Sequence, residues 1–537
     1  MLTNDNRLFI AAAEDPAKLT ADGRELCMEA RMGNRHGLIT GATGTGKTIS
    51  LQNLAESFSS MGVPVLITDI KGDLAAMCRP GAPQGSIAAR IDELRLREKG
   101  YANRGFPVCF WDVFGQQGHP LRITVSDLGP ALFSRLLELN DIQAGVLNIV
   151  FHIADDNGLL LLDFKDLRSM IAWVADNRTQ FLAKYGTISS ASIGAIQRAL
   201  LRLEDEGADI FFGEPALDAA DLFRNDVDGR GFINVLAADK LMRSPRVYAS
   251  AMLWLLSELY ERLPEAGDLE KPRIVLMFDE AHLLFNGMPA ALLEKVNQVI
   301  RLIRSKGVGI YFITQSPADI PDTVLSQLGN RIQHALRAFT PKDQKAVRVA
   351  ADTFRPNPSM DTASVISSLR TGEALVSFLG PKGAPAMVER ALILPPEGGI
   401  GAITPEERAA ILGQSPMGRL YDTAVDRKSA YEVLNEESER RREQLEAELA
   451  EKARLKEETA QRKAQLEADR LRRAEEREAR LSEKEARMRA KQEQGVMGEI
   501  LGSAARTATR SVSNTIGREI GKTILRGVLG GIFGGRR

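Results

Sequence analysis

The stretch Gly41-Ala42-Thr43-Gly44-Thr45-Gly46-Lys47-Thr48 decides how the rest of this chain is read. An apolar run, Gly37-Leu38-Ile39-Thr40, leads into it, and a run read as an amphipathic helix, Ser50 to Phe58, follows. Strand, glycine loop and helix therefore stand in the order that phosphate binding requires. The glycines let successive backbone N–H groups turn inward around the β- and γ-phosphates of a nucleotide, and the helix N-terminus adds its positive dipole end. Lys47 supplies a point charge and Thr48 a hydroxyl for Mg2+. A glycine turn matching by chance is the competing reading, and the flanking strand and helix argue against it. The expected ligands are ATP and Mg2+, held by residues 41–48.

A second stretch completes the chemistry. Arg273-Ile-Val-Leu-Met-Phe-Asp279-Glu280-Ala-His282 is an apolar strand ending on two adjacent carboxylates. Asp279 is expected to hold Mg2+ alongside Thr48. Glu280 is expected to orient and activate the attacking water, the task that separates a hydrolase from a nucleotide binder. Carboxylates that merely cap the next helix are the bland alternative. His282 is open between a coupling role and an ordinary histidine.

The next strand ends in Thr314-Gln315-Ser316-Pro317, which makes Gln315 the candidate sensor of the γ-phosphate. An arginine acting on a neighbouring subunit's nucleotide is sought among Arg301, Arg304, Arg331 and Arg370, with Arg331 and Arg304 entered as candidate catalytic residues. Each taken singly also reads as a surface or ion-pair arginine.

Outward from these motifs the chain organises itself. Residues 1–36 read as a short lead-in with a strand at Leu8–Ala11. Further strands are expected at 64–69, 107–112, 231–236, 273–278, 309–314 and 372–378, separated by helical patterns. Alternation of this kind implies an α/β fold with a mostly parallel sheet covered on both faces. Between about 126 and 206 the pattern is wholly helical, an insertion into that core. The run Leu394-Pro-Pro-Glu-Gly-Gly-Ile400 closes a nucleotide-binding domain at 1–400, and 401–431 reads as a linker.

The remainder is of another character. Residues 432–494 are dominated by Glu, Arg, Lys and Ala without a sustained heptad, which predicts a solvated long helix held by i,i+4 ion pairs, or at most a weak coiled coil. Residues 495–537 form a basic, Gly-rich amphipathic tail, with apolar or small residues every fourth position from Val496 to Ile524. An oligomerisation helix, a contact with an anionic membrane surface, a nucleic-acid contact and a frayed terminus all remain open for it.

Composition narrows the partners. The formal net charge is -1, so any DNA contact must be local rather than global. Three dispersed cysteines, Cys27, Cys78 and Cys109, exclude a CxxC zinc ribbon and point to a reducing compartment. No signal peptide and no transmembrane run is legible, so a soluble cytoplasmic protein is expected.

At these motifs the chain resembles the HerA/FtsK superfamily of ring-forming P-loop ATPases. The resemblance rests on GATGTGKT at 41–48, VLMFDEAH at 275–282 and YFITQSPADIP at 311–321, and covers residues 5 to 395. TDIKGDL at 68–74, FWDVFGQQGHPLR at 110–122 and Leu139-Asn140-Asp141-Ile142-Gln143 resemble the bacterial HerA-like group of YjgR type. The resemblance implies a RecA-like core, a hexameric ring and ATP-driven movement of DNA or protein. It assigns phosphate and Mg2+ to Lys47 and Thr48, hydrolysis to Asp279 and Glu280, and sensing to Gln315. Two departures are visible. Only 40 residues precede Gly41, too few for the β-barrel of HerA helicases, and the membrane helices and winged-helix end of FtsK motors are not seen.

The leading functional expectation is thus a DNA-translocating or DNA-remodelling ATPase. The alternatives are a protein-handling ATPase similar to those of type IV secretion and a nucleotide-gated oligomeric scaffold. A two-lobed helicase is disfavoured, because only about a hundred residues follow Asp279 before the core ends, too few for a second lobe.

Overall fold

The computed structural model describes residues 1–3, 5–15, 20–267, 269–285 and 290–496. The basic tail, apart from its first two residues, lies outside them. The chain divides into two units, Met1–Glu439 and Arg440–Arg537.

The first unit is built on one sheet of twelve strands: β1 (Arg7–Asp15), β2 (Thr20–Glu29), β3 (Gly37–Thr40), β4 (Val65–Asp69), β5 (Val108–Asp112), β6 (His119–Pro120), β7 (Ile233–Ala237), β8 (Ile274–Phe278), β9 (Val308–Thr314), β10 (Asn330–Gln333), β11 (Glu373–Ser377) and β12 (Glu389–Ile393). Their order across the sheet is β2-β1-β12-β11-β10-β3-β9-β8-β4-β7-β5-β6. From β10 to β6 every pairing is parallel, while β11, β12, β1 and β2 continue the sheet antiparallel. The central strands β4, β8 and β9 are buried along their whole length, as parallel strands covered on both faces must be.

The helical insertion stands between β6 and β7, with helices Val125–Leu136, Asp141–Asp156, Phe164–Asp176, Arg178–Tyr185 and Ser190–Glu204. Its sequence marks its own starts. Thr124 with Asp127, Asn140 with Gln143 and Asp163 with Asp166 form reciprocal capping boxes that satisfy first-turn N–H groups.

Three expectations are corrected. The lead-in is a β1–β2 hairpin built into the sheet, and Leu8, Phe9 and Ile10 are fully buried. The helix after the glycine loop, Lys47–Ser60, is not amphipathic: every residue from Ser50 to Ser59 is buried. Three of its polar side chains hydrogen-bond to the Pro/Gly-rich segment laid over it. Asn53 Nδ2 donates to the Leu394 carbonyl at 2.8 Å, Gln52 Nε2 to the Gly399 carbonyl at 2.8 Å, and Glu56 accepts the N–H groups of Glu397 and Gly398. Burial pushes the Glu56 carboxyl up to about 7.

The third correction concerns 401–431, which is no linker. It carries helices Pro405–Gln414 and Gly418–Tyr421, and it packs on the core. The Tyr421 ring meets Trp111 edge-on at 5.3 Å between centroids, the Arg408 guanidinium lies over Phe110, and His119 Nδ1 is 2.7 Å from Asp422. Met417, Tyr421, Ala430 and Leu434 belong to the largest hydrophobic cluster. Each large buried apolar side chain is worth about 1.5–3 kcal/mol. Truncation after residue 400 should therefore lower the thermal midpoint sharply or abolish folding, while truncation after residue 439 should leave a cooperative transition, as read by calorimetry.

The long helix runs from Ala430 to Val496. Arg442–Glu446, Lys452–Glu448, Arg454–Glu458, Arg472–Glu476 and Arg487–Glu483 make i,i+4 ion pairs along it, as its charge pattern requires. Leu445, Leu449, Leu455, Leu466, Leu471 and Leu481 all remain exposed. Among the described residues no helix is long and apolar enough to cross a membrane.

Candidate active site

The loop 41–46 leaves the end of β3 between β10 and β9. It is anchored on the β10 side by Ala42 N–H to the Ala335 carbonyl at 2.8 Å and by Gly372 N–H to the Thr45 carbonyl at 3.1 Å. Gly46 has φ 118° and opens the helix Lys47–Ser60. At Gly41, φ is 154° and an added Cβ would sit 2.5 Å from His334 Cβ, so both backbone angle and space demand glycine. Lys47 is buried, and its Nζ donates to the carbonyls of Gly41 at 2.7 Å and Ala42 at 3.2 Å. Burial lowers its pKa, against the opposing pull of Glu280 and Asp279. Thr48 follows on the first turn of the helix.

Sequence reasoning missed the floor of this loop. His334 is fully buried immediately after β10, with Nδ1 3.0 Å from the Glu373 carbonyl and Nε2 2.8 Å from Ser50 Oγ. A carbonyl only accepts, so Nδ1 carries the proton and Nε2 takes the Ser50 hydroxyl hydrogen. Burial holds this imidazole neutral, lowering its pKa to about 4. The ring ties the loop helix to β10 and to the start of β11. Nothing in Ile332-Gln-His-Ala335 signals this, because its partners are 284 and 39 residues away.

The acidic pair stands at the end of β8, two strands from the loop. Asp279 is buried, and its N–H donates to Thr68 Oγ1 at 3.1 Å. Desolvation pushes its carboxyl up to about 7, with the charge of Glu280 adding to the rise and Lys71 opposing it. Glu280 adopts the left-handed region at φ 45°, unusual for a residue with a Cβ. Its N–H donates to Asp279 Oδ1 at 2.9 Å. Burial alone would raise the Glu280 carboxyl, but the hydrogen bond and charge of Lys71, helped by Lys47, hold it below the usual range. Lys71 Nζ lies 2.7 Å from Glu280 Oε1, whereas buried Oε2 has no hydrogen-bond partner. His282 Nδ1 is 3.4 Å from that oxygen and is likewise unpartnered.

Gln315 is exposed at the tip of β9, the strand between β3 and β8. The candidate arginines are not brought to this site within their own chain. Arg331 lies in β10 opposite Leu38, with Nε donating to the Leu328 carbonyl and Nη2 to the Leu325 carbonyl, both at 3.0 Å. Arg304 is exposed in the turn before β9, at the end of the sheet away from the loop. Arg301 is exposed on the helix preceding that turn, and Arg370 is paired with Glu14 and Glu373.

The residues fit a magnesium nucleotide. Asp279 is a desolvated acid at the end of β8, and Lys47 is a buried cation held by main-chain carbonyls. Among the described residues no group of three His, Cys, Asp or Glu side chains could hold a metal unaided. Mg2+ suits such a place, since it binds through one or two protein oxygens together with phosphates.

The helicase HerA-like C-terminal family model matches residues 16–537. The DNA double-strand break repair helicase HerA of Sulfolobus acidocaldarius is 25% identical over 401 residues, 70% of this chain and 69% of that protein. Its namesake from Saccharolobus solfataricus is 26% identical over 356 residues, 64% of this chain and 61% of the relative. Among solved structures, VirB4 of Thermoanaerobacter pseudethanolicus aligns with a TM-score of 0.47 at 16% identity, over 76% of this chain and 100% of that one. The chain belongs to the helicase HerA-like C-terminal family and is a P-loop ATPase of the HerA/FtsK type.

Proposed function

We propose that this protein is a ring-forming, ATP-hydrolysing motor that translocates or remodels DNA. The observation that carries the reading is the placing of Lys47 after β3 and of Asp279 and Glu280 after β8, two strands apart in the sheet and close enough for their charges to act on one another, in a chain of a helicase family. In this reading Lys47 leaves the Gly41 and Ala42 carbonyls for the β- and γ-phosphates of ATP. Thr48 and Asp279 would hold Mg2+, which neutralises charge on the phosphate oxygens. Glu280 takes the proton of the attacking water through its unpartnered oxygen. Gln315, at the tip of the strand between, registers the γ-phosphate.

A neighbouring copy completes the site with an arginine. Arg304 is the better placed of the two candidates, because it is exposed, whereas Arg331 is half-buried with Nε and Nη2 on carbonyls of its own subunit.

Two measurements test the reading. With Mg2+ and a slowly hydrolysed ATP analogue, the mass in solution should be that of a hexamer; a monomer mass contradicts the ring. With ATP, the protein should displace a third strand from duplex DNA. Displacement that fails while ATP is hydrolysed moves the assignment to a protein substrate.

A further inference from the structure

A lysine outside the glycine loop stands on the candidate base. Lys71 reaches from the turn after β4 to Glu280 at the end of the adjacent β8, 2.7 Å from Nζ to Oε1. The two partners are unequal: the Glu280 side chain is 7% exposed and that of Lys71 41%. Only one of them is free to swing.

The backbone at Glu280 is held in place. It is left-handed, its N–H is bonded to Asp279, and the next N–H, that of Ala281, donates to the Ile313 carbonyl in β9 at 2.8 Å. Lys71 instead hangs from a turn whose shape is kept by the Asp69 carboxylate, which accepts the N–H groups of Gly72 and Leu74. A cavity of about 110 Å3, lined by Asp69, Lys71, Gln117, Asp239 and Arg408 among others, borders that turn. Asp239 on its wall accepts a hydrogen bond from Gln117 Nε2 at 2.9 Å, and the further carboxylates whose charge acts on the ammonium are Asp279 and Asp73.

A carboxylate that accepts an ammonium hydrogen bond has one oxygen occupied and its electron density drawn off, so it takes a proton from water less readily. We propose that Lys71 is a latch on Glu280, a positioning residue that keeps the base idle until the turn moves and the ion pair opens. The inference rests on the reading of Glu280 as the base. Nothing in Thr68-Asp-Ile-Lys71-Gly-Asp-Leu74 alone assigns this contact, since the partner is 209 residues away.

In the full chain, Lys71→Met should raise ATP turnover without DNA several-fold, leave KM for ATP within about twofold, and shrink the stimulation by duplex DNA. Lys71→Arg, which can keep the ion pair, should retain the low DNA-free rate. Should the Met variant melt early, Lys71→Gln carries the same expectations. A DNA-free kcat at or below wild type in the folded variant overturns the latch. Glu280→Gln separates the two claims: wild-type turnover there removes the base and the latch together. An inactive Glu280→Gln beside an unchanged Lys71→Met removes the latch alone.

Discussion

Glu280→Gln will bind ATP with near wild-type affinity and hydrolyse it about 10²–10⁴-fold more slowly, the range expected when a general base is lost. That loss corresponds to about 3–5 kcal/mol of barrier. The substitution keeps the volume of the side chain and an oxygen for Lys71 at 2.7 Å, so the left-handed backbone at 280 and the Asp279 contact should persist. What it removes is the charge that accepts the water's proton. Nucleotide-loaded, stalled assemblies should accumulate, and equilibrium binding of a fluorescent ATP analogue beside single-turnover hydrolysis would separate the two effects. Loss of binding along with turnover would mean that Glu280 organises the pocket instead of the water.

Lys47→Ala, in contrast, will lose binding itself. Hydrogen bonds to charged groups contribute about 1.5–3 kcal/mol each, so losing the lysine's contacts with two phosphates weakens affinity by about two orders of magnitude or more. The lysine already sits inside the loop, donating to the carbonyls of Gly41 and Ala42, and needs only to exchange those acceptors for phosphate oxygens. Isothermal titration with ATP and Mg2+ reads this directly. Unaltered affinity in the variant would show that the main-chain N–H groups alone carry the nucleotide.

The parts of the fold that were legible are those whose signal is local. Eight residues, Gly41–Thr48, carry their own strand and helix context, and the apolar run before Asp279 ends where β8 ends. The parallel sheet followed from strands alternating with helices. What was hidden depends on partners distant in sequence. The helix Lys47–Ser60 looked amphipathic because Gln52, Asn53 and Glu56 are polar, yet the backbone of 394–399 hydrogen-bonds to all three. A Pro/Gly-rich stretch advertises a turn and not a backbone strap over a helix.

Short strands such as β10, four residues with a central Ile332, fall below any periodicity. The segment 401–431 was read as a linker because its Pro, Gly and Ser mimic one, while Met417 and Tyr421 were too sparse to announce burial. Within the site, His334 escaped notice because its partners are distant in sequence, and the charged turn that carries Lys71, read as lying close to the phosphate loop, gave no sign of its contact with Glu280. The arginine supplied by a neighbour is a property of two copies, so one chain's spacing carries no mark of it.

The most direct test of the account is the steady-state rate of phosphate release by the wild-type protein with Mg2+ and ATP, measured with duplex DNA, with single-stranded DNA and with neither. A DNA-translocating ATPase should show a slow but measurable rate without nucleic acid and a several-fold higher rate with duplex DNA. No hydrolysis under any of the three conditions, from a protein shown to bind ATP, would contradict the account.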